Sequence, residues 1–582
     1  MSPTIHLFMW GYQPFFRFAI ERRAKEVLEK VAPGLEPAPQ PNAILVGIRT
    51  PEKTGGHPVC VEPEDGEWDP AVFFECAGRA EAIYNTHPGH STLYGDEAAT
   101  RDQPENIRRD SVRQAVSEVL AEYDSGHGTV SFCGPASRVE GYHVVPVLQF
   151  DSLQIAECPH LPASIRFGEF KTSPGLTEST IESLLQEASR ALTGKEPGRF
   201  FTTFSSDANG VLRDAGNSFC SSITIATGDI QLQGVFDALN AISSLRYEGR
   251  GAIDDLLFAP LSSDAITLSV RLKNPVPLVH HKLARKMIET TGWNLSCLCS
   301  GRVGISGLGV LRDQLADNVL RVRFTGHYKW DLYYKDVLVM HSAFGVPSLP
   351  IVNIKEAAFG LAVRRLFHTE IEAERSLWHV VEAAMKQRHG TIIVISAAAE
   401  EEAERLKRQS TRIEPVELTP NLVTRLSNID GAILLDPTGV CHAIGVILDG
   451  LATEEGDASR GARYNSALRY VSGRAHPPTM CIVISDDGYV NMMPAFRPQV
   501  RRSVVSKYIR LLKTQNIDSY QKSMNWLNDH RFYLTADECS VINNQLARIE
   551  QVPMEPYEIR LPIPKFTPDP AMDDSYYLPE QA

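Results

Sequence analysis

Hydrophobic and polar positions follow two periods along this chain. Apolar residues recur three and four apart over "DSVRQAVSEVLAEY" (110–123) and "ESTIESLLQEASRALTG" (178–194), which predicts amphipathic helices with Asp110 and Ser179 as N-caps. Apolar runs at "NAILVGI" (42–48) and "YHVVPVLQF" (142–150) predict strands. A second block, 227–345, adds the strand "DAITLSVRL", the helix "PLVHHKLARKMIETTG" and the strands "VLRVRF" and "YKWDLYYKDVLVM". "GRVGISGLG" (301–309) is glycine-rich without phosphate-loop spacing and reads as a loop, and "GVPSLPIV" reads as a boundary.

Beyond residue 352 the pattern sharpens. The helix "ERSLWHVVEAAMKQ" precedes a fully apolar strand, "GTIIVIS" (390–396), and the helix "AAAEEEAERLKRQ". The strands "GAILLD" and "VCHAIGVIL" are joined by Asp436-Pro437-Thr438-Gly439, residue types that suit a tight hairpin. A helix over "RGARYNSALRYV" follows, then "MCIVIS" and "YVNMMP", joined by "DDG". The expectation is an α/β, multi-domain chain: an N-terminal α/β region (1–226), an α+β module (227–350), a nucleotide-site domain with a mixed sheet flanked by helices (351–498), and a helical extension with a Pro-rich tail (499–582) that wraps the surface or is disordered.

Composition narrows the function classes. The formal net charge of -13 argues against a chain built to coat nucleic acid or anionic membrane. The basic run Arg497, Arg501, Arg502, Lys507, Arg510 and Lys513 reads as the solvated face of an amphipathic helix. Ten scattered cysteines show no zinc spacing, and no apolar run is long enough to span a bilayer, so a reducing cytoplasm is the expected location.

Two stretches carry candidate chemistry. In "NIDGAILLDP" (428–437), Asp430 stands at the mouth of a predicted strand, followed by Gly431 and Ala432, whose small side chains leave room for a flat ligand. Its carboxylate can hold a divalent cation or activate a hydroxyl. Taken alone, an aspartate here is more commonly a turn aspartate bonding its own backbone. In "DASRGARYNSALRY" (457–470), Asp457 or Ser459 can cap a helix, Gly461 lets a ligand approach the first turn, and Arg460 and Arg463 share a face. Free amides and guanidinium groups at a helix N-terminus suit phosphate, although a capped surface helix has the same look.

Together the two stretches resemble the diadenylate cyclase (DAC) domain of the DNA-integrity scanning type, over about Leu377 to Pro494. That family's Asp-Gly-Ala is Asp430-Gly431-Ala432. Its Gly-Thr-Arg-His-Arg-Ala-Ala aligns with Gly461-Ala462-Arg463-Tyr464-Asn465-Ser466-Ala467, and its Ser-Glu-Glu turn with Ser485-Asp486-Asp487. The resemblance implies that two ATP molecules, held on two facing domains, are joined into cyclic di-AMP. Asp430 would bind Mg²⁺ or Mn²⁺ and help activate a 3′-hydroxyl. Arg463 would hold phosphate, with Gly431, Ala432, Arg460, Gly461, Ala462, Tyr464, Asn465 and Ser485 around the nucleotide. The implied partners are ATP and a second copy, with the N-terminal region as a sensor. The chain departs from the family at Ala462 (for Thr), Tyr464 (for His), Asn465 (for Arg) and Ile429, where a metal-ligating His often stands. A slow cyclase, a cyclase with another product and a nucleotide-binding module without chemistry all remain open.

Overall fold

The computed structural model describes residues 9–33, 38–63, 70–92, 95–161, 174–199, 204, 207–226, 234–246, 255–292, 295–299, 304–335, 337–350, 354–387, 390–451, 456, 461–472, 477–485, 489–497, 499–514, 520–551 and 563–578. The chain divides into two compact units, Met1–Val352 and Asn353–Ala582.

The first unit is built on two sheets. In one, strands Val59–Glu62, Asn42–Arg49, Tyr142–Asp151 and Thr129–Cys133 lie side by side in that order. The other has eight strands and ends on Ile305–Leu311 and Ile266–Val276. One apolar core joins residues of both sheets, among them Leu45, Leu148, Leu320 and Trp330, with helix residues such as Phe16 and Phe236. The two blocks expected on either side of residue 226 therefore share a core.

Local expectations in this unit need correction. The helix around 110–123 spans Glu97–His127 and is capped by Asp96, whose Oδ1 accepts from the Ala98 amide at 3.2 Å; Asp110 is interior. Its polar first turns carry no apolar period, so the pattern hid its start. Ser179 is likewise interior, in a helix that begins at Leu176 after Gly175. The segment read as a glycine loop runs into the strand Ile305–Leu311, with 301–303 outside the described residues. Its glycines are required by a neighbouring backbone: a β-carbon on Gly307 or Gly309 would lie 2.3 Å from the Val270 oxygen or 2.9 Å from the Thr267 oxygen. "YKWDLYYKDVLVM" forms two paired strands, Lys329–Tyr334 and Val337–Ala343. Val346–Ser348 still belongs to the eight-stranded sheet, so the boundary falls after it.

The second unit contains α1 (Glu356–Phe367), α2 (Ile371–Met385), β1 (Thr391–Ser396), α3 (Ala399–Arg405), β2 (Thr411–Glu417), α4 (Pro420–Leu426), β3 (Ala432–Leu435), β4 (Val440–Val446), α5 (Ala462–Ser472), β5 (Thr479–Ile484), β6 (Val490–Met493), α6 (Arg502–Thr514), α7 (Tyr520–Asp529) and α8 (Ala536–Glu550). The sheet order is β2-β4-β3-β1-β5-β6. β1 and β3 run parallel, and every other pair is antiparallel.

The central strands are buried on both faces, which is why they read as unbroken apolar runs. Alternate residues serve opposite layers. Ile393, Ile433 and Ile482 pack with α1, α2 and α4, while Val394, Leu434 and Cys481 pack with α3 and α5. The result is a three-layer α/β/α domain. Beyond it, α6–α8 form their own core around Val505, Met524, Leu527 and Ile542. The described tail, 563–578, completes that core with Phe566 and Tyr576. Arg365 of α1 donates to the Ser575 hydroxyl at 2.8 Å and lies 3.7 Å from the centre of the Tyr576 ring. The tail thus wraps the surface, one of the two outcomes expected from its composition.

Candidate functional site

Strand register gathers the predicted residues at one end of the second sheet. Ala432 pairs with Ile392 and Val446, Thr391 pairs with Ile484, and Ile484 pairs with Val490. Asp430-Gly431, Ile447, Ser485 and Tyr489 therefore all sit just outside the same sheet end. The opposite end holds the Asp436–Gly439 turn, Ser396 and Thr479.

The direction of α5 follows from a buried contact. The Tyr470 hydroxyl, in its last turn, donates to Glu402 Oε2 at 2.6 Å. Glu402 lies in the first turn of α3, which leaves β1 at Ser396. The last turn of α5 is thus held at the far end, close in sequence to Thr479, which pairs with Ser396 there. α5 runs antiparallel to β5, and its first turn, with Arg463, points toward the end where β3 begins.

The two aspartates of the β3 segment behave differently. Asp436 Oδ1 accepts from the Thr438 amide (2.8 Å), the Thr438 hydroxyl (2.6 Å) and the Val440 amide (3.2 Å), and Oδ2 meets His442 Nε2 at 2.9 Å. Burial works against its charge, but these hydrogen bonds outweigh it and hold the carboxyl below the usual range. Asp436 is thus the aspartate that turns the chain. The Asp430 side chain is exposed and has no hydrogen-bond or ion-pair partner among the described residues. The alternative of a turn aspartate bonding its own backbone does not describe it.

The small residues after Asp430 have packing reasons. Gly431 has φ +116°, and a β-carbon there would lie 2.5 Å from the Gly445 carbonyl carbon and 2.8 Å from the Val446 nitrogen. Ala432 is fully buried in the layer shared with α3 and α5. The room that these residues were expected to leave for a ligand is filled by the chain, so only their backbone is available to a nucleotide. Gly445, at φ +61°, is the partner that sequence reasoning missed. An isolated glycine within a strand pattern was its one signal.

Around the tip of α5, Gly461 and Ala462 are exposed, and a β-carbon on Gly461 would meet nothing within 4 Å. Packing among the described residues does not demand that glycine. Arg463, Tyr464 and Asn465 are half-buried. Tyr464 packs against the α3/α5 core layer, and Asn465 Nδ2 donates back to the Gly461 oxygen at 3.3 Å. Ser485 Oγ accepts from the Tyr489 amide at 3.0 Å, so its own proton is available to another acceptor. Arg460, the caps Asp457 and Ser459, and Asp486 and Asp487 lie outside the described residues.

No cluster of three or more His, Cys, Asp or Glu able to hold a metal occurs among the described residues. One open carboxylate fits an ion that draws its other ligands from phosphates and water, as Mg²⁺ does.

The segment that forms this sheet, with Asp-Gly-Ala at one end and an arginine-bearing helix tip directed to that end, resembles a known family in sequence. Residues 379–494 match the model described as DisA bacterial checkpoint controller nucleotide-binding. These residues are a DAC domain. Ahead of it, residues 9–220 match the family described as "Probable sensor domain DACNG" and residues 233–336 that described as "Probable sensor domain DACNH". A double mutant of DacA from Staphylococcus aureus, solved by crystallography, aligns at 15% identity over 22% of this chain and 91% of that one, with a TM-score of 0.18. No curated protein matches the chain. No described helix is long and apolar enough to cross a membrane.

Proposed function

We infer that the DAC domain of this chain condenses two ATP molecules into cyclic di-AMP and that its N-terminal unit regulates this activity. The observation that carries the reading is the open Asp430 carboxylate at the sheet end toward which the Arg463 helix tip points, within a segment matched by the DAC family. Mg²⁺ or Mn²⁺, held by Asp430 and ATP phosphates, would neutralise charge and acidify the attacking hydroxyl. Arg463 and the amides of the α5 tip bind phosphate and orient the α-phosphorus. Arg460, Gly461, Ala462, Tyr464, Asn465 and Ser485 surround the nucleotide in this reading, and the backbone of Gly431 and Ala432 lies beneath it.

Each half-reaction forms a bond from the 3′-oxygen to the α-phosphorus of the opposite ATP and breaks the α–β anhydride. Pyrophosphate leaves, and the hydroxyl proton passes by way of Asp430 to solvent. Placement and charge neutralisation supply most of the rate. One domain with one ATP cannot close the ring, so two copies must face each other. An ATP-rich, reducing cytoplasm suits this chemistry and the ten free cysteines.

The test is incubation of the full chain with ATP and Mg²⁺ or Mn²⁺, followed by mass spectrometry. Cyclic di-AMP is expected. If ATP binds yet no cyclic or linear dinucleotide forms at any protein concentration, the cyclase reading fails. The second reading, a nucleotide-binding sensor without turnover, then holds; the residues that favour it are Ile429, Tyr464 and Asn465, which replace a ligand, a His and an Arg of the family pattern.

A further inference from the structure

α3 carries a chain of polar contacts, buried at Glu402 and exposed at Arg405, that reaches residues on both sides of the segment between β4 and α5. Glu402 is 7% exposed. Its Oε2 accepts from the Tyr470 hydroxyl at 2.6 Å, and its two oxygens take a fork from Arg405, both at 3.0 Å. The same guanidinium makes a second fork onto Asp449, at 2.6 and 2.8 Å. The Asp449 and Glu402 carboxylates together hold Arg405 firmly in its charged form. Gly450, next to Asp449, lies against α5: a β-carbon there would sit 2.7 Å from the Arg469 carbonyl carbon and oxygen.

The chain therefore leaves β4, is clamped at Asp449 by Arg405 and lies against the last turn of α5 at Gly450. The far end of that helix is clamped at Tyr470 by Glu402. One helix thus fixes both the departure point of the connecting segment and the axis of α5. In sequence Arg463 lies between these two anchors. A buried carboxylate facing a tyrosine and an arginine costs desolvation that an apolar pair would avoid, so stability alone is a poor reason for it.

We propose that Glu402 and Arg405 are positioning residues for nucleotide phosphates. By fixing Asp449 and Tyr470 they set where the Arg463-bearing tip of α5 stands relative to Asp430. Neither residue touches the nucleotide; both act through Arg463 and the α5 amides. This inference rests on the nucleotide-site reading above, though it does not need the domain to turn over.

The test measures binding of a non-hydrolysable ATP analogue and of adenosine to the full chain, for wild type, Glu402→Gln, Tyr470→Phe and Arg463→Ala, with melting temperatures alongside. Loss of such supporting contacts weakens site affinity by about tenfold or more. A loss of that size is expected for the ATP analogue with Glu402→Gln and with the gentler Tyr470→Phe, which removes one hydroxyl. Adenosine, lacking phosphates, should bind all variants equally. In an Arg463→Ala background, Glu402→Gln should weaken the analogue no further, because its effect passes through that arginine. Additive losses in the double variant, or equal losses for adenosine, overturn the proposal while leaving the nucleotide site standing. A wild type that binds no ATP analogue overturns both.

Discussion

Gly431 and Gly445 lie backbone against backbone, with 2.5 Å between the place of a β-carbon on the first and the carbonyl carbon of the second. This crossing holds the Asp430 segment against the end of β4. It also explains why the middle residue of Asp-Gly-Ala carries no side chain, without reference to any ligand.

Gly431→Ala combines a left-handed φ of +116° with a backbone clash and should destabilise the second unit by about 3 kcal/mol or more. Gly445→Ala, at φ +61° and 3.0 Å from Ile429 Cγ2, should cost about 1–2 kcal/mol. Urea unfolding of the two variants checks the order. Equal effects would mean that the crossing is not the constraint.

Asp430→Asn should leave stability within about 0.5 kcal/mol, because the side chain is exposed and makes no contact to lose. Product formation should fall below detection. Arg463→Ala removes a charge-assisted phosphate contact of roughly 1.5–3 kcal/mol, or about one to two decades in rate. Mass-spectrometric product assays beside thermal melts separate these outcomes from misfolding.

Asn465→Arg returns the second cation of the family pattern to the helix tip. It gives up the 3.3 Å bond from Asn465 Nδ2 to the Gly461 oxygen. Turnover should rise by about one to two decades. An unchanged rate would show that the tip does not reach the phosphates in the transition state.

The Asp436 turn gives a prediction in pH. Its carboxyl is held lower in the folded chain than the unfolded value of about 3.9. The stabilisation is therefore complete above roughly pH 4 and is lost as pH falls through the folded value. The gap in unfolding free energy between wild type and Asp436→Asn should be equal at pH 7 and pH 5 and shrink below about pH 4. Denaturant titrations across that range measure it.

Removing residues 563–582 deletes Phe566 and Tyr576 from the core of α6–α8 and takes the ring off Arg365. At about 1.5–3 kcal/mol per buried aromatic, the loss is roughly 3–6 kcal/mol. Hydrogen exchange over 502–550 should rise strongly in the truncated chain, while β1 and β3 keep their protection.

Much of the second unit was legible because its strands are short, apolar on both faces and bounded by turn residues. β1, β3 and the Asp436–Gly439 hairpin stand where the sequence placed them. The three-layer order was less visible, since nothing local says that β1 runs parallel to β3 and antiparallel to β5. The same holds at the site. Asp430 and Arg463 could be named from residue type and resemblance. The Gly431–Gly445 crossing and the ties from Glu402 to Tyr470 and from Arg405 to Asp449 join residues distant in the chain, and local pattern does not encode such contacts. In the first unit, glycines set by a facing strand passed for a loop, and a polar helix start passed for none.

Asp430 and Asp436 flank one strand of four residues, at its opposite ends. Chemically they are the same acid. The fold saturates Asp436 with donors of its own turn and gives Asp430 none among the described residues. The carboxylate at one end of the sheet is open, while the one at the other end is tied to its own turn and to His442. A fluorophore or cross-linker attached at the exposed Thr438 turn would therefore report on the domain from the sheet end opposite Asp430.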